Sequence, residues 1–123
     1  MRVVIADPDR RAGRRLAQSI EALLPSADVL LYDDSPTTLA GAADHSPDVV
    51  FVAPEVGGVD GPELCRRLAA GRGDMTIVGM VDEPDGSWST RYVAAGAGLV
   101  VARPVDDLAL RTAFRQRAGG IAP

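Results

Sequence analysis

The stretch Pro47-Asp48-Val49-Val50-Phe51-Val52-Ala53-Pro54-Glu55-Val56-Gly57-Gly58-Val59-Asp60-Gly61 decides how the rest of the chain is read. Asp48 to Val52 is a short, almost continuous apolar and β-branched run. A strand of that composition is buried on both faces, as in parallel sheets covered by helices. Gly57-Gly58 marks a flexible loop, and Asp60-Gly61-Pro62 reads as the cap and first turn of a helix. Ala53 stands where strand gives way to loop.

The pattern repeats on either side. Arg2 to Ala6 is a β-branched run closed by Asp7-Pro8-Asp9. Asp7 is placed to cap the next helix, with Pro8 at its first position. Leu16, Ile20, Leu23 and Leu24 recur at helical spacing up to Pro25. Asp28 to Tyr32 predicts a second strand, and Ser35-Pro36 opens a helix through Leu39 and Ala43. Leu64, Leu68 and Ala69 carry the helix after Asp60. Met75 to Val81 predicts a fourth strand. Ser87 to Ala95 predicts a helix ended by Gly96, Leu99 to Ala102 a fifth strand, and Val105 to Arg117 a last helix with Leu110 and Phe114 four residues apart. Five alternations of strand and helix predict an α/β doubly wound, flavodoxin-like five-stranded parallel sheet of order 2-1-3-4-5. The single domain runs over residues 1–118, with 119–123 a C-terminal tail or the start of a linker.

Of the 123 residues, 46% are hydrophobic, enough for a core, and 24% are charged, which argues against disorder. No apolar run approaches the roughly 20 residues of a bilayer crossing, and the N-terminus turns acidic too early for a secretion signal. A cytoplasmic protein without membrane contact is expected. The net charge of −4 argues against direct nucleic-acid contact by this domain. Cys65, the one cysteine, excludes an internal disulfide and reads as a small core residue. All 13 basic residues are arginine, so no ammonium side chain serves any pocket.

Ligands of such sheets sit beyond the carboxyl ends of the strands. Those ends carry Asp7-Pro8-Asp9, Ala53-Pro54-Glu55, Val81-Asp82-Glu83 and Arg103-Pro104. Asp-Pro-Asp-Arg-Arg follows the first strand where a phosphate cradle needs glycines and hydroxyls, and neither GxGxxG nor GxxxxGK[ST] occurs. An enzyme is the least favoured class, since the chain lacks an evident nucleophile–base pair, metal cluster or cofactor loop.

From Arg2 to Ala118 the sequence resembles the CheY-like receiver domains of response regulators. The resemblance rests on Asp7 after the first strand, on the Pro-Asp strand with its Gly-Val-Asp-Gly loop and Glu-Leu-Cys-Arg-Arg-Leu helix, and on Ala95-Gly96-Ala97 followed by Arg103-Pro104. It implies a phosphorylation pocket whose parts are altered here. Ala53 stands where the family carries its phosphoacceptor aspartate, Pro8 where it carries one of two metal-holding acids, Val81 in place of a threonine or serine, and Arg103 in place of a lysine. Magnesium needs several oxygen ligands, so binding is expected to be weak or absent, with Asp7 and Glu55 the remaining weak candidates and no other cofactor implied. Glu55 reads either as a partial replacement for the lost carboxylate or as a solvated loop residue; Asp9 stands next to Pro8 but in doubtful direction. Arg103 is expected to pair with Asp7 or Glu55, and the bond to Pro104 matches one that is usually cis in the family. Asp48, at the far end of its strand, and Asp60, a helix cap, are poor substitute acceptors.

The resemblance also implies a partner or dimer surface on the fourth and fifth helices. Its candidates are Trp88, Arg91, Tyr92, Asp106, Asp107, Arg111 and Arg115. Trp88 and Tyr92 share one helical face and read either as an exposed hot spot or as residues buried against the sheet. Arg10, Arg11, Arg14 and Arg15 form a like-charged cluster, a solvated face or a contact for a partner or local carboxylate. His45 reads as a surface residue in a turn. The leading expectation is an atypical, phosphorylation-independent receiver in two-component signalling, working through protein contacts or as a homodimer, with transcription regulation one possible output. A small-ligand sensor and a localisation domain of a ParA-like ATPase in pilus assembly are the alternatives.

Overall fold

The computed structural model describes residues 1–71, 74–83 and 86–121. Its strands are β1 (Arg2–Ala6), β2 (Asp28–Tyr32), β3 (Val49–Val52), β4 (Glu55–Val56), β5 (Val59–Asp60), β6 (Thr76–Val81) and β7 (Leu99–Ala102). The helices are α1 (Arg10–Leu23), α2 (Ser35–His45), α3 (Gly61–Gly71), α4 (Gly86–Ala94) and α5 (Asp107–Ile121). Five strands form one parallel sheet in the order β2-β1-β3-β6-β7. Once the short β4–β5 ribbon is set aside, this is the expected 2-1-3-4-5 order.

Side-chain alternation sorts the helices onto two faces. Ile5 and Phe51 are register partners and point to the same side. Gly13 of α1 lies against Ile5, and Phe114 of α5 meets Phe51 edge-on at 6.3 Å, so α1 and α5 share that face. Val52 and its partner Gly79 face the other way, and Tyr92 of α4 lies over Gly79. Between these layers Val3, Val4, Ile5, Val49, Val50, Phe51 and Val52 are wholly inaccessible, which accounts for their continuous apolar pattern.

The structure departs from the sequence expectations at element ends. Asp9, not Asp7, caps α1: its Oδ1 accepts from the N–H groups of Arg11 at 3.0 Å and Ala12 at 3.1 Å. Pro8 therefore precedes the helix. The Gly57-Gly58 loop is the turn of the two-stranded antiparallel β4–β5 ribbon, which sequence reading missed. With φ of 57° and 82°, both residues need the left-handed region, as a two-residue hairpin turn does. The last helix begins at Asp107 and continues to Ile121, so it runs into the segment expected to be a tail; Ala122 and Pro123 lie outside the described residues. His45 closes α2, half-buried, rather than lying in a free turn, and its carbonyl accepts from Arg2 Nη1 at 2.8 Å. Among the described residues no helix is long and apolar enough to cross a membrane.

Candidate functional site

The carboxyl ends of β1, β3, β6 and β7 bring Asp7, Ala53, Val81 and Arg103 to one rim of the sheet. Ala53 is 1% exposed, and its N–H continues the ladder to the Ala6 carbonyl at 2.9 Å. Ala53 thus presents a buried methyl group to this rim. Val81 is also buried and offers no hydroxyl; its carbonyl accepts from the Arg103 N–H at 2.8 Å.

Asp7 is 5% exposed, and both of its carboxylate oxygens are engaged. Oδ1 accepts from the Asp9 N–H at 2.9 Å, and Oδ2 accepts from Arg103 Nη1 at 3.0 Å. Arg103 also donates through Nε to Asp82 Oδ1 at 2.8 Å, with Nη2 2.6 Å from the same oxygen. The guanidinium is a planar fork of fixed donors, so one group can tie two strands' carboxylates together. Burial works against its charge, but the Asp82 and Asp7 carboxylates outweigh that and hold the guanidinium above its ordinary value. Of the two pairings expected for Arg103, that with Asp7 forms. Glu55 takes no part: it is exposed on the ribbon, and Asp82 fills the role of second partner. The Arg103–Pro104 bond is cis, as expected.

Magnesium does not fit these residues. Hard cations need converging oxygens, whereas here one wall is the Ala53 methyl, Pro8 carries no donor, Asp9 is turned into its helix cap and Asp7 is held by a guanidinium. Among the described residues no group of three His, Cys, Asp or Glu side chains could hold a metal. Asp60 is the cap of α3, accepting from the Glu63 N–H at 2.8 Å. Burial acts to raise its carboxyl, but that N–H and the Arg91 guanidinium bring it below its ordinary value. Asp48 sits at the opposite end of β3, accepting from the Arg2 N–H at 2.9 Å and facing Arg117 at 3.3 Å.

The surface candidates separate. Tyr92 is not at the surface: it is wholly buried, its hydroxyl donating to the Met80 carbonyl at 2.8 Å and lying 3.3 Å from that of Val52. Its ring occupies the room left by two glycines. A Cβ on Gly79 would stand 2.4 Å from the ring, and one on Gly61 2.1 Å from the hydroxyl oxygen. A glycine inside a strand signals this kind of close approach, so Gly79 was the available clue. Trp88 is half-buried; the Arg91 guanidinium stacks on its ring at 4.8 Å and is ion-paired to Asp60. Asp106 caps α5, accepting from the Ala109 N–H at 2.8 Å. Asp107, Arg111 and Arg115 are exposed on α5. Sequence reasoning missed Val93 and Leu108, which are 62% and 70% exposed, because each lies off the apolar stripe of its helix. In the arginine cluster, Arg10 pairs with Asp33 at 2.9 Å.

No family model matches the chain, and no curated protein matches it. Solved structures do. A two-component response regulator from Clostridium difficile superposes with a TM-score of 0.88 at 15% identity, covering 100% of this chain and 99% of that one. A CheY-like receiver domain protein from Methanospirillum hungatei gives 0.85 at 18% identity, covering 97% and 94%. The signal receiver domain of a modulated diguanylate cyclase from Desulfovibrio desulfuricans gives 0.82 at 26% identity, again over 97% and 94%. The chain has the fold of the receiver domains of two-component response regulators.

Proposed function

We propose that this chain is a non-catalytic, phosphorylation-independent receiver domain, a pseudo-receiver that signals in the cytoplasm through protein contacts. One observation carries this reading: the Asp7 carboxylate is closed by Arg103 beside a buried Ala53. Transfer to an aspartate needs an acceptor oxygen and electrostatic stabilisation of the transferred group. The first is a methyl group here, and the cation suited to the second is already spent on two carboxylates. Output then falls to a standing surface. Val93 on α4 and Leu108 on α5 are exposed apolar side chains, and Asp107, Arg111 and Arg115 are exposed charged residues on α5, the residue types from which such a surface is built.

Sedimentation across a concentration series tests both halves, using the wild-type chain and Leu108→Glu with and without acetyl phosphate and magnesium. The reading expects self-association that acetyl phosphate leaves unchanged and that Leu108→Glu weakens about tenfold or more. An acetyl-phosphate-dependent shift, with a phosphoryl adduct on the intact protein, would overturn it.

A further inference from the structure

On one side the main sheet ends at β2, which pairs with β1 alone. The Asp28 N–H donates to the Met1 carbonyl at 2.9 Å, and the Tyr32 carbonyl accepts from the Asp7 N–H at 3.0 Å. Successive residues of a strand address opposite edges. Asp28, Leu30 and Tyr32 therefore bond to β1, while Val29 and Leu31 turn their N–H and C=O groups outward. Those four groups have no partner among the described residues. Such a row is a template for another strand, and natural sheets guard it with lysine, proline or a bulge. β2 has none of these: its register on β1 is unbroken, and Val29-Leu30-Leu31-Tyr32 carries no charge. Leu31 is 45% exposed, although α1 approaches so closely that a Cβ on Gly13 would stand 2.9 Å from its Cδ2.

Helix α1 sets the charge beside this edge. A cleft of about 370 Å³ lies between α1 and β2, lined by Leu31 and Tyr32 and by Asp7, Arg10, Arg14 and Asp33. Three of these four charged groups are engaged: Asp33 pairs with Arg10, and Asp7 is held by Arg103 and the Asp9 N–H. Arg14 has no ion pair or hydrogen bond among the described residues. The same is true of Arg11 and Arg15, which line a groove with it on the exposed side of the helix. Beyond its cap Asp9, α1 carries no acid in its first turn to offset them. Like charges four residues apart at the positive end of a helix are unfavourable. In a chain of net charge −4, uncompensated guanidiniums are thus gathered beside open backbone groups.

We propose that the β2 edge docks an extended acidic peptide segment of a partner protein as a sixth strand of the main sheet. Main-chain bonds to Val29 and Leu31 supply the pairing. Carboxylates on the α1 side of the added strand meet Arg14, so that charge complementarity selects acid over base. Antiparallel pairing with a second copy is disfavoured, because it would bring two α1 helices to one face of the joined sheet with their arginines opposed. The β2 edge lies across the sheet from β7 and is independent of the α4 and α5 surface.

The test is a titration of the isotope-labelled chain with capped hexapeptides, followed by backbone amide shifts and hydrogen exchange. One peptide alternates glutamate with valine, a second lysine with valine, and a third is the glutamate peptide with its backbone nitrogens methylated. The glutamate peptide is expected to saturate, to shift the amides of Val29, Leu31 and Arg14, and to slow exchange at Val29 and Leu31. The other two peptides are expected to bind about tenfold more weakly or worse, and Arg14→Glu to weaken the glutamate peptide by a similar factor. Three results would each overturn the proposal. Equal binding of the lysine peptide, or an unchanged affinity in Arg14→Glu, would mean an edge without charge recognition. Equal binding of the methylated peptide would mean that the arginines hold any polyanion, nucleic acid or an acidic membrane included, without strand addition. No saturation by about 1 mM glutamate peptide would mean that the edge stays open.

Discussion

Arg103 Nη1 lies 3.0 Å from Asp7 Oδ2, joining the loops that follow the first and last strands of the main sheet across 96 residues of sequence. Asp7 is nearly inaccessible, whereas a quarter of the Arg103 side chain is exposed. The bridge is therefore worth less as attraction than as neutralisation of a buried carboxylate.

This asymmetry predicts a non-additive double-mutant cycle. Arg103→Ala strands the Asp7 charge and is expected to lower stability by about 1–3 kcal/mol, discounted for the exposed guanidinium. Asp7→Asn in the Arg103→Ala background is expected to recover much of that loss. Urea unfolding of the four proteins measures the coupling; simple additivity would mean the two side chains do not sense each other.

On the proposed reading, Ala53→Asp separates a missing acceptor from a closed pocket. The new carboxylate enters a site 1% exposed, so a loss of about 1–3 kcal/mol is expected. Phosphorylation of the new aspartate is not expected, because Asp7 stays engaged by Arg103 and Val81 has no hydroxyl. Intact mass after exposure to acetyl phosphate and magnesium checks this. An adduct would show that the acceptor alone had been wanting.

Tyr92 and the glycines beneath it predict a size-dependent pair of effects. Tyr92→Phe removes a hydroxyl bonded to Met80 and is expected to cost about 0.5–1.5 kcal/mol, whereas Tyr92→Ala empties the ring's site and costs about 3–5 kcal/mol. Gly79→Ala drives a methyl into the ring and destabilises on its own. Combined with Tyr92→Ala it is expected to be nearly neutral relative to that single variant. Thermal melts of the four variants beside the wild-type chain decide it.

Cys65 predicts a dependence on alkaline pH. Burial, with the Asp60 charge adding to it, pushes its thiol up to about 12 from an ordinary value near 9. A folded-state value raised in this way favours the folded chain below about pH 9, and that contribution is lost as pH rises toward 12. The urea midpoint of the wild-type chain is therefore expected to fall relative to Cys65→Ala between pH 8 and pH 11. In the native state at pH 8 the thiol is expected to resist Ellman's reagent and to react on unfolding.

Where a residue's neighbours lie in its own segment, the sequence was readable. Asp60 could be assigned to a helix cap from Gly61-Pro62 alone, and β1, β3 and β6 from uninterrupted apolar runs. Tyr92 could not be placed, because the room that buries it is made by glycines 31 and 13 positions away in the chain. The Arg103–Asp7 pair was one of two open pairings. Asp82 was not among the expected partners, since only the register of β6 on β7 brings it beside the arginine. The cap of α1 lies one acid later than the sequence suggests: Asp7 reads as the cap, and Asp9 is the cap in the structure.

The most direct test of the closed pocket is a titration of the chain with magnesium and beryllofluoride, followed by amide shifts. Beryllofluoride mimics an aspartyl phosphate and requires both an acceptor carboxylate and a metal. The account predicts no change at Asp7, Ala53, Val81 and Arg103. Saturable shifts at those residues would contradict it, for they would mean that another carboxylate rebuilds the site and that Arg103 releases Asp7 to a metal ion.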